Sequence, residues 1–238
     1  MSFRLGSSRF EIKYQINNST RETLFRQISP MLIPDVYHKD EGGYGNYSIY
    51  FDAPGQRYRI EKEEGLELRT KPRLRIYKRL RDFSSIGYFF ELKHRIDSNI
   101  EKERVAIDLQ KSQTLLDPFN FSFAGGGSES PVLTKFSYLV RRYNLRPVLC
   151  VLYKRRAFTS KYFSGLRVTF DSRVSGCPVP RLDNPPSSFK SIIPPHHSII
   201  EIKYNDRLPN WISKVCNKLE MQRISISKFA SAAQVLGN

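Results

Sequence analysis

Acidic residues are in short supply in this chain. Across 238 residues, 23 Asp and Glu stand against 39 Lys and Arg, a formal net charge of +16. Such an excess implies an anionic partner: nucleic acid, an acidic membrane surface, or a phosphate-rich molecule or polymer. Cysteine is also scarce. Cys150, Cys177 and Cys216 are odd in number, far apart and without CxxC or zinc spacing, which excludes a disulfide scaffold and points to a reduced cytosolic setting. The four histidines form no ligand pattern, and His196-His197 after Pro194-Pro195 reads as an exposed loop pair. No apolar run approaches the length of a membrane span. The opening Met-Ser-Phe-Arg-Leu lacks the apolar core of a signal peptide. Gly125-Gly126-Gly127-Ser128 is followed by no GKS or GKT, so it is a flexible loop and not a phosphate cradle. There is no GxSxG, no Cys close to a His and no internal repeat, so nothing invites nucleophilic catalysis or a solenoid.

What is present argues for a folded globule: 39% of residues are hydrophobic and 13% aromatic. Residues 9–16 read as a strand. Asn18-Ser19 is placed to cap a helix over about 20–31, with Leu24, Phe25, Ile28 and Leu32 inward. A polar, glycine-rich loop is expected from Asp40 to Asn46, a strand over 47–51, a turn at 52–55 and a short helix over 56–64. Strands are expected near 72–79, 88–95 and 102–109, a loop over 117–130 and a helix over 131–143 opened by Pro131. Strands near 147–159 and 165–172 follow. The proline-rich stretch 173–198 reads as irregular, then come a strand at 199–204 and helices near 209–218 and 226–236. Many strands and few helices, without βαβ alternation, predict an α+β fold on a mainly antiparallel sheet or barrel.

Five strand-like runs carry charges two residues apart with apolar residues between. They are Arg9-Phe-Glu11-Ile-Lys13, Arg73-Leu-Arg75-Ile, Phe90-Glu91-Leu-Lys93, Arg167-Val-Thr-Phe-Asp171 and Ile200-Glu201-Ile-Lys203. Side chains two apart on a strand share a face. Each run therefore has a charged face and a greasy one (Phe10, Ile12, Tyr14; Phe90, Leu92; Ile200, Ile202, Tyr204) that helices can cover. One such strand is simply the wet side of a sheet. Five of them suggest charges gathered around a polyanion, with Arg73/Arg75 and Arg155/Arg156 as bidentate phosphate donors. Most aromatics in these runs alternate with the charges and face away from them, so a nucleic-acid stacking platform ranks second.

Beyond these patterns, the chain resembles a known family. The segments Arg9-Phe-Glu-Ile-Lys-Tyr14, Ser48-Ile-Tyr-Phe-Asp52, Arg73-Leu-Arg-Ile-Tyr77, Glu91-Leu-Lys93, Tyr153-Lys-Arg-Arg-Ala-Phe158, Leu166-Arg-Val-Thr-Phe-Asp171, Ile200-Glu-Ile-Lys203 and Ser227-Lys-Phe229 occur in that order. Together they resemble the catalytic domain of the vacuolar transporter chaperone (VTC) polyphosphate polymerases, within the triphosphate tunnel metalloenzymes. The resemblance spans about Arg9 to Leu236 and implies a single domain over 1–238: an antiparallel strand tunnel with helices packed outside. It implies polyphosphate synthesis from the terminal phosphate of ATP with a divalent metal, Mn2+ or Mg2+. By position, Lys13, Arg73, Arg75, Lys93, Lys102, Arg155, Arg167 and Lys228 match basic tunnel residues. Tyr153, Arg9 and Lys203 fall to substrate binding, and Glu201 with Glu11 to the metal.

Two departures stand out. Arg9 replaces the first Glu of the Glu-x-Glu-x-Lys found in the superfamily's hydrolases, and Ser225 replaces a lysine three residues before Lys228. The first favours a polymerase over a triphosphatase. ATP and polyphosphate are the implied ligands and nucleic acid is not expected. A cytoplasmic location follows, with membrane association only through a separate membrane-protein partner. Hydrolysis of tripolyphosphate or nucleoside triphosphate, with Glu11 or the metal activating water, and non-catalytic polyphosphate binding are the alternatives. Removing Arg75 or Arg167 from a field of like charges is expected to leave the protein folded.

Overall fold

The computed structural model describes residues 9–37, 42–66, 68–96, 99–116, 130–179 and 188–237. In chain order the elements are β1 (Arg9–Asn17), α1 (Asn18–Ile28), β2 (Leu32–Pro34), β3 (Tyr44–Asp52), α2 (Arg57–Glu63), β4 (Leu68–Lys78), β5 (Ser85–Ile96), β6 (Asn99–Ile107) and α3 (Leu109–Leu116). Then come α4 (Pro131–Tyr143), β7 (Arg146–Ser160), β8 (Arg167–Cys177), β9 (Lys190–Ser191), β10 (His197–Asn205), α5 (Asn210–Lys218) and α6 (Lys228–Leu236). Hydrogen-bonded neighbours run β1-β10-β8-β7-β3-β4-β5-β6, with β2 on β7 and β9 on β8. The α+β class and the antiparallel sheet are as expected.

Local chemistry explains the boundaries. Asn17, one residue before the expected cap, accepts from the Thr20 amide at 2.8 Å and starts α1. Pro131 opens α4, and Asn144, left-handed at φ 51°, closes it. The strand β3 begins at Tyr44, inside the expected loop, because Gly45 pairs with Lys78. Gly43 just before it has φ 139°, and a Cβ there would lie 2.6 Å from the Arg155 carbonyl oxygen, so only glycine fits. The strand expected to reach 109 stops at Ile107, and α3 follows it. The sequence signal for that helix is Asp108, whose carboxylate accepts from the Lys111 amide at 2.6 Å as an N-cap. The stretch from 173 is less irregular than expected, since β8 runs on to Cys177 and pairs with β9. Residues 117–129 of the first expected loop and 180–187 of the second lie outside the described residues.

The chain divides into two compact units. The first comprises residues up to Tyr44, Tyr153–Val174 and Ile193–Ile226. Here β1 pairs with β10 and β10 with β8, all antiparallel. Tyr14, Ile16, Ile200, Ile202, Val168 and Phe170 lie on one side of these strands and pack on Leu24 and Ile28 of α1 and Ile212 and Cys216 of α5. Each such buried side chain contributes about 1.5–3 kcal/mol. The alternate residues carry the charges.

The second unit comprises Gly45–Leu152, Ser175–Ile192 and Ser227–Asn238. Its strands β3, β4, β5 and β6 pair antiparallel in that order. Ile49, Phe51, Leu74, Ile76, Phe90 and Leu92 form the greasy side, covered by Val132, Leu133, Phe136 and Val140 of α4 and Leu115 of α3. The Phe136 ring sits 4.3 Å from Phe90 and 5.0 Å from Phe51, centroid to centroid. In both units period-two alternation separates a charged face from a helix-covered core.

Candidate functional site

The charged face of the second unit is organised by one buried carboxylate. Strand register places Arg73 opposite Glu91 and Glu91 opposite Arg104. Glu91 is fully buried. Its Oε2 receives Arg73 Nε and Nη2, each at 2.7 Å, with Arg75 Nη1 at 3.7 Å. Its Oε1 receives Lys102 Nζ at 3.3 Å, with Arg104 Nε at 3.9 Å. Burial alone would raise the Glu91 pKa. The charges of Arg73, Arg75 and Lys102 outweigh it and hold the carboxyl well below its usual range. Four cations around one carboxylate leave a net positive cluster.

Aromatic groups share this face. Arg73 Nη1 donates to the Tyr50 hydroxyl at 3.4 Å. The Arg104 guanidinium lies 3.5 Å from the Phe89 centroid and 5.7 Å from that of Tyr77. Burial pushes the Tyr77 phenol up, but the charge and hydrogen bond of Arg75, with Arg104, bring it below its ordinary value. At the edge of the face Phe229 of α6 packs on Tyr50 at 5.0 Å, next to Lys228.

The charged face of the first unit is a chain of alternating charges. Lys13 meets Glu11 at 2.8 Å, Glu11 meets Lys203 at 3.2 Å, and Lys203 meets Glu201 at 2.8 Å. Glu201 lies 3.6 Å from Arg155 Nη2. Arg155 clasps the fully buried Asp171 with Nε and Nη2, each at 2.7 Å, and its guanidinium lies 5.1 Å from the Tyr153 ring centroid. Three cations and three carboxylates balance along this chain. Arg167 is likewise paired, to Asp35 at 2.6 Å.

The structure thus sorts the predicted residues. Arg73, Arg75 and Lys102 converge on Glu91. Lys93 lies opposite Lys102 on the same face, and Lys228 begins α6 in the same unit. Lys13, Lys203, Glu11, Glu201, Arg155 and Tyr153 share the first unit's charged face. Arg9 opens β1 opposite Asn205. Glu91, Arg104, Asp171 and Asp35 were not among the expected site residues. Their sequence signal is weak because their partners lie on neighbouring strands or far along the chain.

Two expectations change. Arg75 and Arg167 do not stand in an unrelieved field of like charge. Each faces a carboxylate, so removing either leaves that carboxylate less compensated and costs stability. Most aromatics of the five runs do face the core, yet Tyr50, Tyr77, Phe89 and Tyr153 lie with the charges.

A family model for the VTC domain matches residues 8–237. The chain belongs to the VTC domain family. No curated protein matches it significantly. Among solved structures, a protein from Pyrococcus horikoshii OT3 superposes with a TM-score of 0.51 at 15% identity, over 96% of this chain and 98% of that one. A Bacillus halodurans protein, provisionally named an adenylate cyclase, superposes with a TM-score of 0.51 at 11% identity, over 93% and 94%. At such identities the likeness shows a shared fold. Membership of the VTC family supports a polyphosphate-related or nucleoside-triphosphate-binding role. Among the described residues of this VTC domain no helix is long and apolar enough to cross a membrane.

Proposed function

We propose that this VTC domain is a polyphosphate polymerase, which moves the terminal phosphoryl group of ATP onto phosphate or a growing polyphosphate end. The observation that carries the reading is the Glu91 cluster. A buried carboxylate fixes Arg73, Arg75 and Lys102 in place while leaving net positive charge on the face. Phosphoryl transfer asks little covalent chemistry of the protein; it needs placement and neutralisation of the equatorial oxygens. Cations held before substrate arrives do not reorganise during reaction, and that is where electrostatic catalysis gains most. An anionic phosphate acceptor needs no general base.

A divalent cation fits the first unit as a substrate-assisted site. Among the described residues no group of three His, Cys, Asp or Glu side chains converges. Glu11 and Glu201 nevertheless share one ammonium, Lys203. Hard cations such as Mg2+ are commonly held by one or two carboxylates plus phosphate oxygens. Glu201 and Glu11 would hold the metal, which would neutralise phosphate oxygens. Hydrolysis with Glu11 as base is disfavoured, because Lys13 and Lys203 both engage that carboxylate and compete with a water for its oxygens.

The test is incubation of the purified protein with ATP and Mn2+, followed by gel analysis for polyphosphate and assays for free phosphate and cyclic nucleotide. A polymer ladder removed by a polyphosphatase, and lost in Arg75→Ala and in Lys93→Ala, is expected. The Lys93 variant guards against loss of fold in the first. Free phosphate without polymer overturns the polymerase reading in favour of hydrolysis. Cyclic nucleotide overturns it in favour of a cyclase.

A further inference from the structure

After α5 the chain returns to β1. The Met221 amide donates to the Cys216 carbonyl at 3.0 Å, and the segment 223–226 then runs along the edge of β1 that β10 does not use. Arg223 bridges Tyr14 in antiparallel sense, and the Ile224 amide donates to the Lys13 carbonyl at 2.9 Å. Two residues on, the Ile226 carbonyl accepts from Lys13 Nζ at 3.2 Å. This strap therefore holds one lysine at both its backbone and its ammonium. A side chain fastens it as well. Burial and Cys216 push the Tyr14 phenol up, and the hydrogen bond and charge of Arg223 act against that rise.

We propose that the strap 223–226 is a positioning element for Lys13, holding its ammonium in place on the charged face of the first unit before a phosphate anion arrives. Lys13 also meets Glu11 at 2.8 Å, but Lys203 shares that carboxylate. The Ile226 carbonyl differs from Glu11 in kind. It orients an N–H group without cancelling the positive charge. An ammonium has three N–H donors. Glu11 and Ile226 take two, which leaves one for a phosphate oxygen. The strap acts through main-chain groups, so no charged side chain at 224 or 226 marks it in the sequence. The inference rests on the polyphosphate reading above, to which Lys13 belongs and the strap does not.

The experiment measures tripolyphosphate binding by calorimetry to the full chain, to Ile224→Pro and Ser225→Gly, and to each of these on a Lys13→Ala background. Proline removes the N–H that the Lys13 carbonyl accepts, and glycine at exposed Ser225 loosens the strap while keeping its main-chain groups. Ordering a free lysine side chain on binding lowers affinity about two- to tenfold, so each strap variant should weaken binding by about that factor. On the Lys13→Ala background neither should weaken it further, since nothing is left to position. Lys13→Ala alone should cost about tenfold or more, the loss of one charge-assisted hydrogen bond. Thermal melts establish whether Ile224→Pro is folded; where it is, that variant decides, and otherwise Ser225→Gly does. Unchanged binding in the deciding variant, or an equal loss with and without Lys13, overturns the positioning role and leaves the polyphosphate reading standing. Unchanged binding in Lys13→Ala also overturns it. Wild-type protein that binds no tripolyphosphate overturns both.

Discussion

Arg73 closes on Glu91 with two nitrogens, Nε and Nη2, each 2.7 Å from the single oxygen Oε2. That leaves Oε1 to Lys102 and Arg104. A carboxylate used in this way is a scaffold. It sets the spacing of the cations around it.

The scaffold role predicts the stability of Glu91→Gln. The substitution keeps the shape and removes the charge that compensates buried Arg75 and half-buried Arg73. Breaking a buried ion pair from one side costs about 3–5 kcal/mol. For a chain of this size that lowers the melting temperature by about 10 °C. Added tripolyphosphate should recover more stability in the variant than in wild type, because it supplies the missing negative charge. Thermal melts with and without the anion check this, and an unchanged melting temperature would remove the scaffold role.

The same carboxylate sets a pH dependence. Its folded-state pKa lies below the ordinary 4.5. Its contribution is therefore full above that pH and is lost as pH falls toward the folded value. The stability gap between wild type and Glu91→Gln should be constant from neutrality to about pH 5 and shrink as the pH falls below the ordinary carboxylate range. Denaturant titrations at stepped pH measure the gap; a gap that widens on acidification contradicts the assignment.

Arg155 and Asp171 form a second test by a double-mutant cycle. Each is buried, and each single truncation strands the other's charge at a cost of about 3–5 kcal/mol. Replacing both, as in Arg155→Met with Asp171→Leu, should cost less than the sum of the singles by about 1–3 kcal/mol. Additive costs would mean that the bidentate pairing contributes no coupling.

Glu201 links Lys203 and Arg155 on the first unit's face. If it holds the metal, Glu201→Gln should raise the Mn2+ concentration needed for half-maximal polymer formation by about tenfold or more, the equivalent of one charge-assisted interaction. Metal titrations of polymer yield check this. An unshifted titration with reduced yield would mean that Glu201 positions lysines and holds no metal.

Parts of this arrangement are legible in the chain itself. In β1 and β10 the i,i+2 pairs Glu11–Lys13 and Glu201–Lys203 do meet, each at 2.8 Å, because both members lie on one strand. Glu91, with Lys93 two residues on, has the same local pattern. Its partners come instead from β4 and β6. Arg167 and Asp35 lie 132 residues apart, and no local pattern joins them.

What the sequence determined by itself is the alternation of side chains along each strand, hence a charged face and a core face. It also determined the helix start at Pro131 and, to within one residue, the one capped by Asn17, because period and capping are local physics. Tertiary structure alone decided register, and register decides which charges meet. A shift of one residue between β4 and β5 would move Arg73 off Glu91 and Lys71 off Lys93. The balanced chain on one unit and the net positive cluster on the other are therefore products of strand pairing, which composition cannot encode.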